Sequence, residues 1–236
     1  MERKTPRVLV IIPAYNEEET IAGVIEDVRR EMPRAGIVVV NDGSTDRTPR
    51  VVRQTGVELL EHPYNMGIGA AMQTGYKYAI SRGFDIAVQV DADGQHRAGE
   101  IKRLIEPILD RNADVVVGSR FLGLGDYRPS FARGVAITIF SRIVSSILGA
   151  RITDPSSGFR AAGRRAVWYL SRCYPDDYPE VEALVLLHKK GFAIMEVPVK
   201  MAERKGGRSS ITAGRGVYYM VKVLLAIFVD LLKRVD

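Results

Sequence analysis

The feature that most constrains this chain is an alternation. Five short runs rich in Val and Ile, at Val8–Ile12, Ile37–Val40, Val57–Leu60, Ile86–Val90 and Val115–Val117, are separated by amphipathic stretches near Glu17–Glu31, Asp46–Gln54, Gly67–Ser81 and Gly99–Leu109. Runs of that length and composition read as strands buried on both faces. Strand–helix–strand order then predicts an α/β fold with a mainly parallel central sheet and flanking helices. Such sheets bind ligands beyond the carboxyl ends of their strands. Polar clusters stand at those ends: Pro13-Ala14-Tyr15-Asn16-Glu17, Asn41-Asp42-Gly43-Ser44-Thr45-Asp46 and Asp91-Ala92-Asp93-Gly94-Gln95-His96. The second half is less regular, with an amphipathic stretch at Phe131–Gly149, a turn-rich Thr153–Arg160, a helical run at Glu180–Lys190 and a strand-like Ala193–Val199.

Composition narrows the classes. The 236 residues are 46% hydrophobic and 26% charged, which excludes a disordered or collagen-like chain. Lys and Arg number 34 against 28 Asp and Glu, a net charge of +6 that suits an anionic partner. The single cysteine, Cys173, permits neither an internal disulfide nor a thiolate metal cluster, so a reducing compartment is expected. The apolar run at Val8–Ile12 stops at Pro13, short of a signal peptide's core. In the apolar tail, Lys222 and Asp230 leave only Val223–Val229 uninterrupted, whereas a spanning helix needs roughly 20 residues. The expectation is no transmembrane helix.

Several clusters permit chemistry. The Asp91-x-Asp93 pair at a strand mouth suits a hard divalent ion completed by water and phosphate oxygens, or else a tight turn. Asp42 either initiates an Asp-Gly turn, with Ser44 or Thr45 capping the next helix, or accepts the imide N–H of a pyrimidine base. Asn65-Met66-Gly67-Ile68-Gly69 lets backbone approach a ligand, but neither a dinucleotide fingerprint nor a G-x-x-x-x-G-K-[ST] loop is present. Redox-cofactor and ordinary nucleotide-hydrolase readings therefore fall. Cys173 reads as a packing residue and His188 as a surface one, while His96 is a candidate for a phosphate contact or a metal's surroundings.

Taken in order, P-A-Y-N-E, N-D-G-S-T-D, N-x-G-x-G-A-A, D-A-D-G-Q-H, G-S-R and D-P-S-S-G-F-R resemble the family 2 inverting glycosyltransferases, in particular the dolichol-phosphate mannosyltransferase and polyprenyl-phosphate glycosyltransferase branch. The resemblance covers about residues 6–212. It implies a glycosyltransferase-A fold, a GDP- or UDP-linked sugar donor and Mg²⁺ or Mn²⁺. It further implies that Pro13, Ala14 and Glu17 line the nucleoside pocket and that Asp42 reads the base. Asp91 and Asp93 flank the donor, with Gln95 near the metal. Arg120 and Arg133 face an acceptor phosphate. The late R-x-x-G-x-S-K loop of the family reads Arg204-Lys205-Gly206-Gly207-Arg208-Ser209-Ser210, so Ser210 replaces the Lys and Arg204 and Arg208 must supply the charge.

The acceptor forms a fork. A phosphate acceptor is nucleophilic without a base, whereas a sugar hydroxyl needs one. Glu180, eleven residues before Gly191, matches the position of the base in hydroxyl-directed members; the alternative is a first-turn acid favoured by the helix dipole. Residues 1–212 are expected to form the catalytic domain and 213–236 an amphipathic helix. That tail and Phe131–Gly149 carry Arg and Lys beside apolar faces, which suits either a membrane interface or packing within the protein. The expected setting is the cytoplasmic face of the cell membrane, bound peripherally. A basic nucleic-acid-binding domain is the rival from another class, but the basic residues are dispersed and no nucleic acid partner is expected. A nucleotidyltransferase, releasing pyrophosphate from a nucleoside triphosphate, is a third.

Overall fold

A computed structural model describes residues 5–123, 131–175 and 179–202, the side chains of 131–136 excepted. The first half is strictly alternating: β1 (Val8–Ala14), α1 (Ile21–Glu31), β2 (Gly36–Asn41), α2 (Thr48–Thr55), β3 (Glu58–Glu61), α3 (Ile68–Ser81), β4 (Ile86–Gln89), α4 (Ile101–Leu109) and β5 (Val115–Ser119). It continues through α5 (Phe131–Leu148), β6 (Arg160–Gly163), α6 (Arg164–Leu170), α7 (Pro179–Lys189) and β7 (Ile194–Pro198). These strands form one sheet in the order β3-β2-β1-β4-β6-β5-β7. All neighbours are parallel except β6, which runs antiparallel to both β4 and β5.

The period of two along each strand divides the core into layers. On β1, Val10 and Ile12 face α1 and α4, where Ile21, Ile25, Val28, Ile101 and Leu104 are fully buried. Leu9 and Ile11 face the opposite layer, built on Ala71, Met72 and Tyr76 of α3 and Val167 and Leu170 of α6. A third cluster joins Val117 of β5 to Phe140, Val144 and Leu148 of α5 and to Val181, Leu184 and Val185 of α7. One face of α5 is therefore packed within the protein, while Ile139 is exposed. Among the described residues no helix is long and apolar enough to cross a membrane.

Two elements depart from the expected pattern. The helix expected from Glu17 begins at Ile21, because the preceding turn is drawn to the neighbouring loop, as detailed below. The turn-rich stretch ends in β6, whose sequence Arg-Ala-Ala-Gly has no β-branched residue. Its small side chains suit a strand enclosed on both edges and both faces, and all four residues are buried. Tertiary enclosure has overridden local propensity there.

Candidate active site

The sheet order sets the carboxyl ends of β2, β1 and β4 side by side. The loops leaving β1 and β2 are stitched together. The Asn16 N–H donates to Ser44 Oγ (2.9 Å), the Thr45 N–H to Asn16 Oδ1 (2.8 Å), the Glu17 N–H to Thr48 Oγ1 (2.8 Å) and the Glu18 N–H to Asp46 Oδ2 (3.2 Å). Thr20 Oγ1 donates to Glu17 Oε2 at 2.9 Å. These bonds hold residues 16–18 away from helical geometry. Asp46 Oδ1 accepts the Thr48 N–H (2.8 Å), so Asp46 serves the start of α2, whereas Ser44 and Thr45, expected to cap it, are engaged with Asn16.

Between these strand ends lies a cleft of about 330 Å³ whose lining includes Pro13, Ala14, Glu17, Asp42, Asn65, Gly67, Gln89, Asp91, Asp93 and Glu180. The structure thus brings together Pro13, Ala14, Glu17, Asp42, Asp91, Asp93 and Glu180, all expected at the site from sequence, with Asn65 and Gly67 of the glycine-bearing segment.

Asp42 is buried and held by three protein donors. Its Oδ1 takes the Met66 N–H (2.9 Å) and pairs with His62 Nδ1 (2.8 Å), and its Oδ2 takes the Gly67 N–H (2.8 Å). A carboxylate has about four acceptor positions, so one on Oδ2 remains for a ligand. The far ring nitrogen of His62 lies 2.9 Å from Thr74 Oγ1 on α3. The turn reading and the ligand reading of Asp42 are therefore compatible: the carboxylate fixes the 65–67 loop and also faces the cleft. Gly43 follows with φ of +67°, and a Cβ there would lie 2.4 Å from the Tyr64 carbonyl carbon, so only glycine lets the two segments meet.

Around Asp91 the same principle operates. The Asp91 N–H donates to His96 Nδ1 (2.9 Å), which puts the imidazole hydrogen on Nε2, 3.5 Å from Asp91 Oδ2. The His96 ring stacks on Phe159 with centroids 4.6 Å apart. His96, a candidate for a phosphate contact, turns both ring nitrogens towards Asp91 instead. Asp93 Oδ1 accepts the Gln95 N–H (3.0 Å), closing the turn, and Gln95 itself lies outside the cleft lining. Among the described residues no three His, Cys, Asp or Glu side chains gather into a metal cage. A Mg²⁺-like ion needs only one or two carboxylates when substrate phosphates complete its shell. Asp91 and Asp93 fit that donor set.

Glu180 opens α7 and lines the same cleft. Burial raises its carboxyl above the ordinary range; the Arg160 charge and its own backbone N–H oppose this, and the Asp91 charge adds to it. Arg160 is itself buried. Its Nε donates to the Ser157 carbonyl (2.6 Å), Nη2 to the Pro155 carbonyl (2.8 Å) and Nη1 to the Glu180 carbonyl, tying the 155–158 loop to the start of α7.

Arg120, read from sequence as facing the acceptor phosphate, forms a bidentate pair with Asp154, Nε to Oδ2 and Nη2 to Oδ1, both at 2.7 Å. Asp154 is fully buried. Glu196 of β7 accepts the N–H groups of Thr153 and Asp154 at 2.7 Å each and the Thr153 hydroxyl at 2.9 Å. Burial raises the Glu196 carboxyl, partly offset by those donors. Arg133 lies on α5, but its side chain is outside the described residues, as are Arg204, Arg208 and the tail 213–236. His62 and Glu196 were given no role from sequence, and Asp154 and Arg160 entered only as members of the D-P-S-S-G-F-R motif, without their partners. Each of the four has at least one partner 20 to 43 residues away, and the one local signal was the Asp-Pro of the turn.

A carboxylate-lined cleft at the strand ends of such a sheet defines the ligand site of an α/β protein. The comparisons make the class specific. Residues 9–170 match the family model described as glycosyl transferase family 2, and the chain belongs to that family. It is 30% identical over 231 residues to polyprenol monophosphomannose synthase of Mycolicibacterium smegmatis, covering 94% of this chain and 87% of that protein. It is 33% identical over 213 residues to UDP-N-acetylglucosamine–dolichyl-phosphate N-acetylglucosaminyltransferase of Methanococcus voltae, covering 82% and 84%. The crystal structure of glucosyl-3-phosphoglycerate synthase from Mycobacterium tuberculosis, with Mn²⁺, UDP and phosphoglyceric acid, superposes with a TM-score of 0.71 at 21% identity over 94% of this chain and 78% of that one. The fold is glycosyltransferase-A, as the sequence resemblance implied.

Proposed function

We propose that this protein transfers a sugar from a nucleotide-sugar donor, GDP- or UDP-linked, to a polyprenyl phosphate such as dolichyl or undecaprenyl phosphate. The observation that carries the reading is the single cleft in which Asp42 at the end of β2 and Asp91 and Asp93 after β4 flank Pro13 and Ala14 of β1. The two relatives above differ in sugar but share a polyprenyl- or dolichyl-phosphate acceptor in their names, which supports the acceptor class over any particular sugar. In this reading Asp42 offers its remaining acceptor position to the base, and Pro13, Ala14 and Glu17 border the nucleoside. Asp91 and Asp93 would hold a divalent ion, Mg²⁺ or Mn²⁺, which when bound neutralises charge on the departing diphosphate. The acceptor phosphate oxygen attacks the anomeric carbon as its bond to the nucleoside diphosphate breaks, inverting the configuration. No residue has to remove a proton from a phosphate that is already ionised. Arg133, Arg204 and Arg208 are proposed to contact phosphates, and Arg120 to do so only if its pair with Asp154 opens. Residues 1–212 constitute the catalytic domain in this proposal. The 213–236 segment contributes a peripheral contact with the cytoplasmic membrane face, where the acceptor resides.

A second reading has one observation in its favour. Glu180 reaches the cleft with a raised carboxyl pKa, as a general base for a hydroxyl acceptor requires. One assay separates the two. The enzyme is supplied with GDP- and UDP-sugars, Mg²⁺ or Mn²⁺, and either a short polyprenyl phosphate or a lipid-linked sugar. Product on the polyprenyl phosphate, with Glu180→Gln retaining most of kcat, supports the first. Product only on the sugar hydroxyl, with a loss of about 10²–10⁴ in kcat for Glu180→Gln, supports the second.

A further inference from the structure

A second cavity, of about 760 Å³, lies against α5 and shares no described lining residue with the cleft. Its wall includes Thr153 and, on α5 and the turn after it, Ser141, Arg142, Ser145, Ser146 and Arg151. The 153–158 loop touches both sites. Thr153 stands in this cavity, and Gly158 lies against Asp91, where a Cβ would be 3.3 Å from both carboxylate oxygens. Local bonds bring the two arginines together. Gly149 follows α5 with φ of +58°, a left-handed conformation that turns the chain back. The returning segment is tied to the helix at Ile152. Its carbonyl accepts from the hydroxyls of Ser141 and Ser145, the latter at 3.0 Å, and its N–H donates to Ser145 Oγ at 2.9 Å. Arg151 thereby reaches the same cavity as Arg142.

Other guanidinium groups are engaged, by carboxylates in Arg47–Glu18 and Arg120–Asp154 and by carbonyls at Arg160. Arg142 and Arg151 are exposed, and among the described residues neither makes a hydrogen bond or an ion pair. The described lining holds no Asp or Glu. The carboxylates next to Thr153 are turned elsewhere: Asp154 pairs with Arg120, and Glu196 accepts from Thr153 and Asp154. Each guanidinium can set two parallel N–H donors on one oxyanion, and the hydroxyls add further contacts. The C-terminal end of α5 opposes an anion with about half a charge, which two full positive charges outweigh. Ile139, one turn before Arg142, is 54% exposed. Exposed apolar surface beside unpaired cations suits a helix lying at a lipid interface.

We propose that this cavity binds the phosphate group of an anionic lipid headgroup, held by Arg142 and Arg151, with Ile139 entering the acyl boundary. The inference rests on the proposed function only for its membrane setting, and its main assay contains neither nucleotide sugar nor polyprenyl acceptor. The whole chain is sedimented with phosphatidylcholine vesicles, with or without phosphatidylglycerol. Wild type is expected to bind the anionic vesicles more tightly. Arg142→Gln combined with Arg151→Gln should weaken that binding about 10–30-fold. Arg34→Gln combined with Arg50→Gln removes the same charge from exposed arginines outside the cavity and should weaken it much less. Ser146→Trp fills the cavity without changing charge and should weaken it as the first pair does. All of these side chains are exposed, so thermal unfolding should be unaltered. No preference of the wild type for anionic vesicles, equal losses for the two double variants, or full binding by Ser146→Trp would overturn the proposal. Binding of glycerol 1-phosphate that depends on Arg142 and Arg151, with vesicle binding independent of them, would assign the cavity to a soluble phosphate ester and overturn the lipid source. Transfer to a short, soluble polyprenyl phosphate should be unchanged in the Arg142/Arg151 variant; a raised KM there would make the cavity part of the acceptor site and overturn its separate role. Failure of the wild type to transfer from any nucleotide sugar would overturn the reading of the cleft and leave the vesicle result standing.

Discussion

The two halves of the sheet hold their carboxylates differently. In the β1–β4 half, Asp42 and Asp91 are fixed by backbone N–H groups, by imidazoles and by an amide: Met66, Gly67 and His62 for Asp42, and Gln89 and His96 around Asp91. In the β5–β7 half, Asp154 is neutralised by the Arg120 guanidinium in a two-pronged pair, and Arg160 is enclosed by carbonyls. Asp42 keeps an acceptor position facing the cleft. Asp154 is fully buried and faces its partner. The first arrangement suits groups that meet a ligand or cation. The second suits groups that hold a loop, here the one that carries Gly158 to the cleft wall.

The largest effect should come from the half that meets ligand. Asp93→Ala is expected to lower turnover by about 10³-fold or more, since a metal-held diphosphate is the leaving group in the proposed reaction. Thermal unfolding should change little, and Mn²⁺-dependent binding of nucleoside diphosphate should disappear with turnover. Retained turnover, or wild-type activity in excess chelator, would break the contrast by showing that the Asp91–Asp93 turn is structural.

The loop-holding half should respond in stability before activity. Removing one partner of a buried ion pair costs about 3–5 kcal/mol because the other charge is stranded. Asp154→Ala is therefore expected to lower the denaturation midpoint sharply, as measured by urea unfolding. Arg120→Ala should do the same if its main work is the pair. If Arg120→Ala instead leaves stability intact and raises the acceptor KM, Arg120 belongs with the ligand-facing groups and the division drawn above moves.

A subtler effect is expected at His62. The side chain touches Asp42 on one side and Thr74 on the other. His62→Ala removes one of the three donors on Asp42, so donor affinity should fall by about 0.5–1.5 kcal/mol, the usual net value of one such bond. The readout is titration with nucleoside diphosphate. An increase in KM with kcat preserved supports a positioning role, and His62→Gln, which keeps an N–H donor, should recover part of it. An unchanged affinity would detach Asp42 from the base pocket.

What could be read in the sequence divides along the same line. Strands β1, β2, β4 and β5 were legible because each is a Val/Ile run, and their ends were legible because Asp42, Asp91 and Asp93 follow those runs directly. The start of α1 was misplaced because Glu17 and Glu18 are drawn to Thr48 and Asp46, some thirty residues on. Strand β6 escaped because Arg160-Ala161-Ala162-Gly163 has a helix former's composition and becomes a strand only when β4 and β5 close on it. Arg120 came from the family resemblance, as the Arg of G-S-R, but its pairing with Asp154, 34 residues later, was not foreseen. Cleft residues announce themselves by local chemistry, whereas the groups that pin loops are defined by long-range pairing.

The smallest predicted effect concerns Glu180, which belongs by position to the second half of the chain and by exposure to the cleft. Burial raises its carboxyl above the ordinary value, with Arg160 opposing and Asp91 reinforcing. The folded protein therefore takes up this proton at a higher pH than the unfolded chain does. At neutral pH the ionised group is a burden on the fold. As pH falls from the raised value towards the unfolded one, near 4.3, the native state binds the proton first and gains stability; below that the gain is complete. Glu180→Gln has no such proton, and the other raised carboxyl, Glu196, is common to both proteins and cancels. The difference in thermal midpoint, wild type minus Glu180→Gln, should thus rise on acidification between neutral pH and the ordinary carboxyl range. A flat difference would mean that Glu180 is effectively solvated, removing both the base reading and its place among the cleft's acceptors. A rise confined to donor-free protein, and lost when nucleotide sugar is bound, would place the carboxyl in contact with the ligand itself and join the two halves of the sheet at one site.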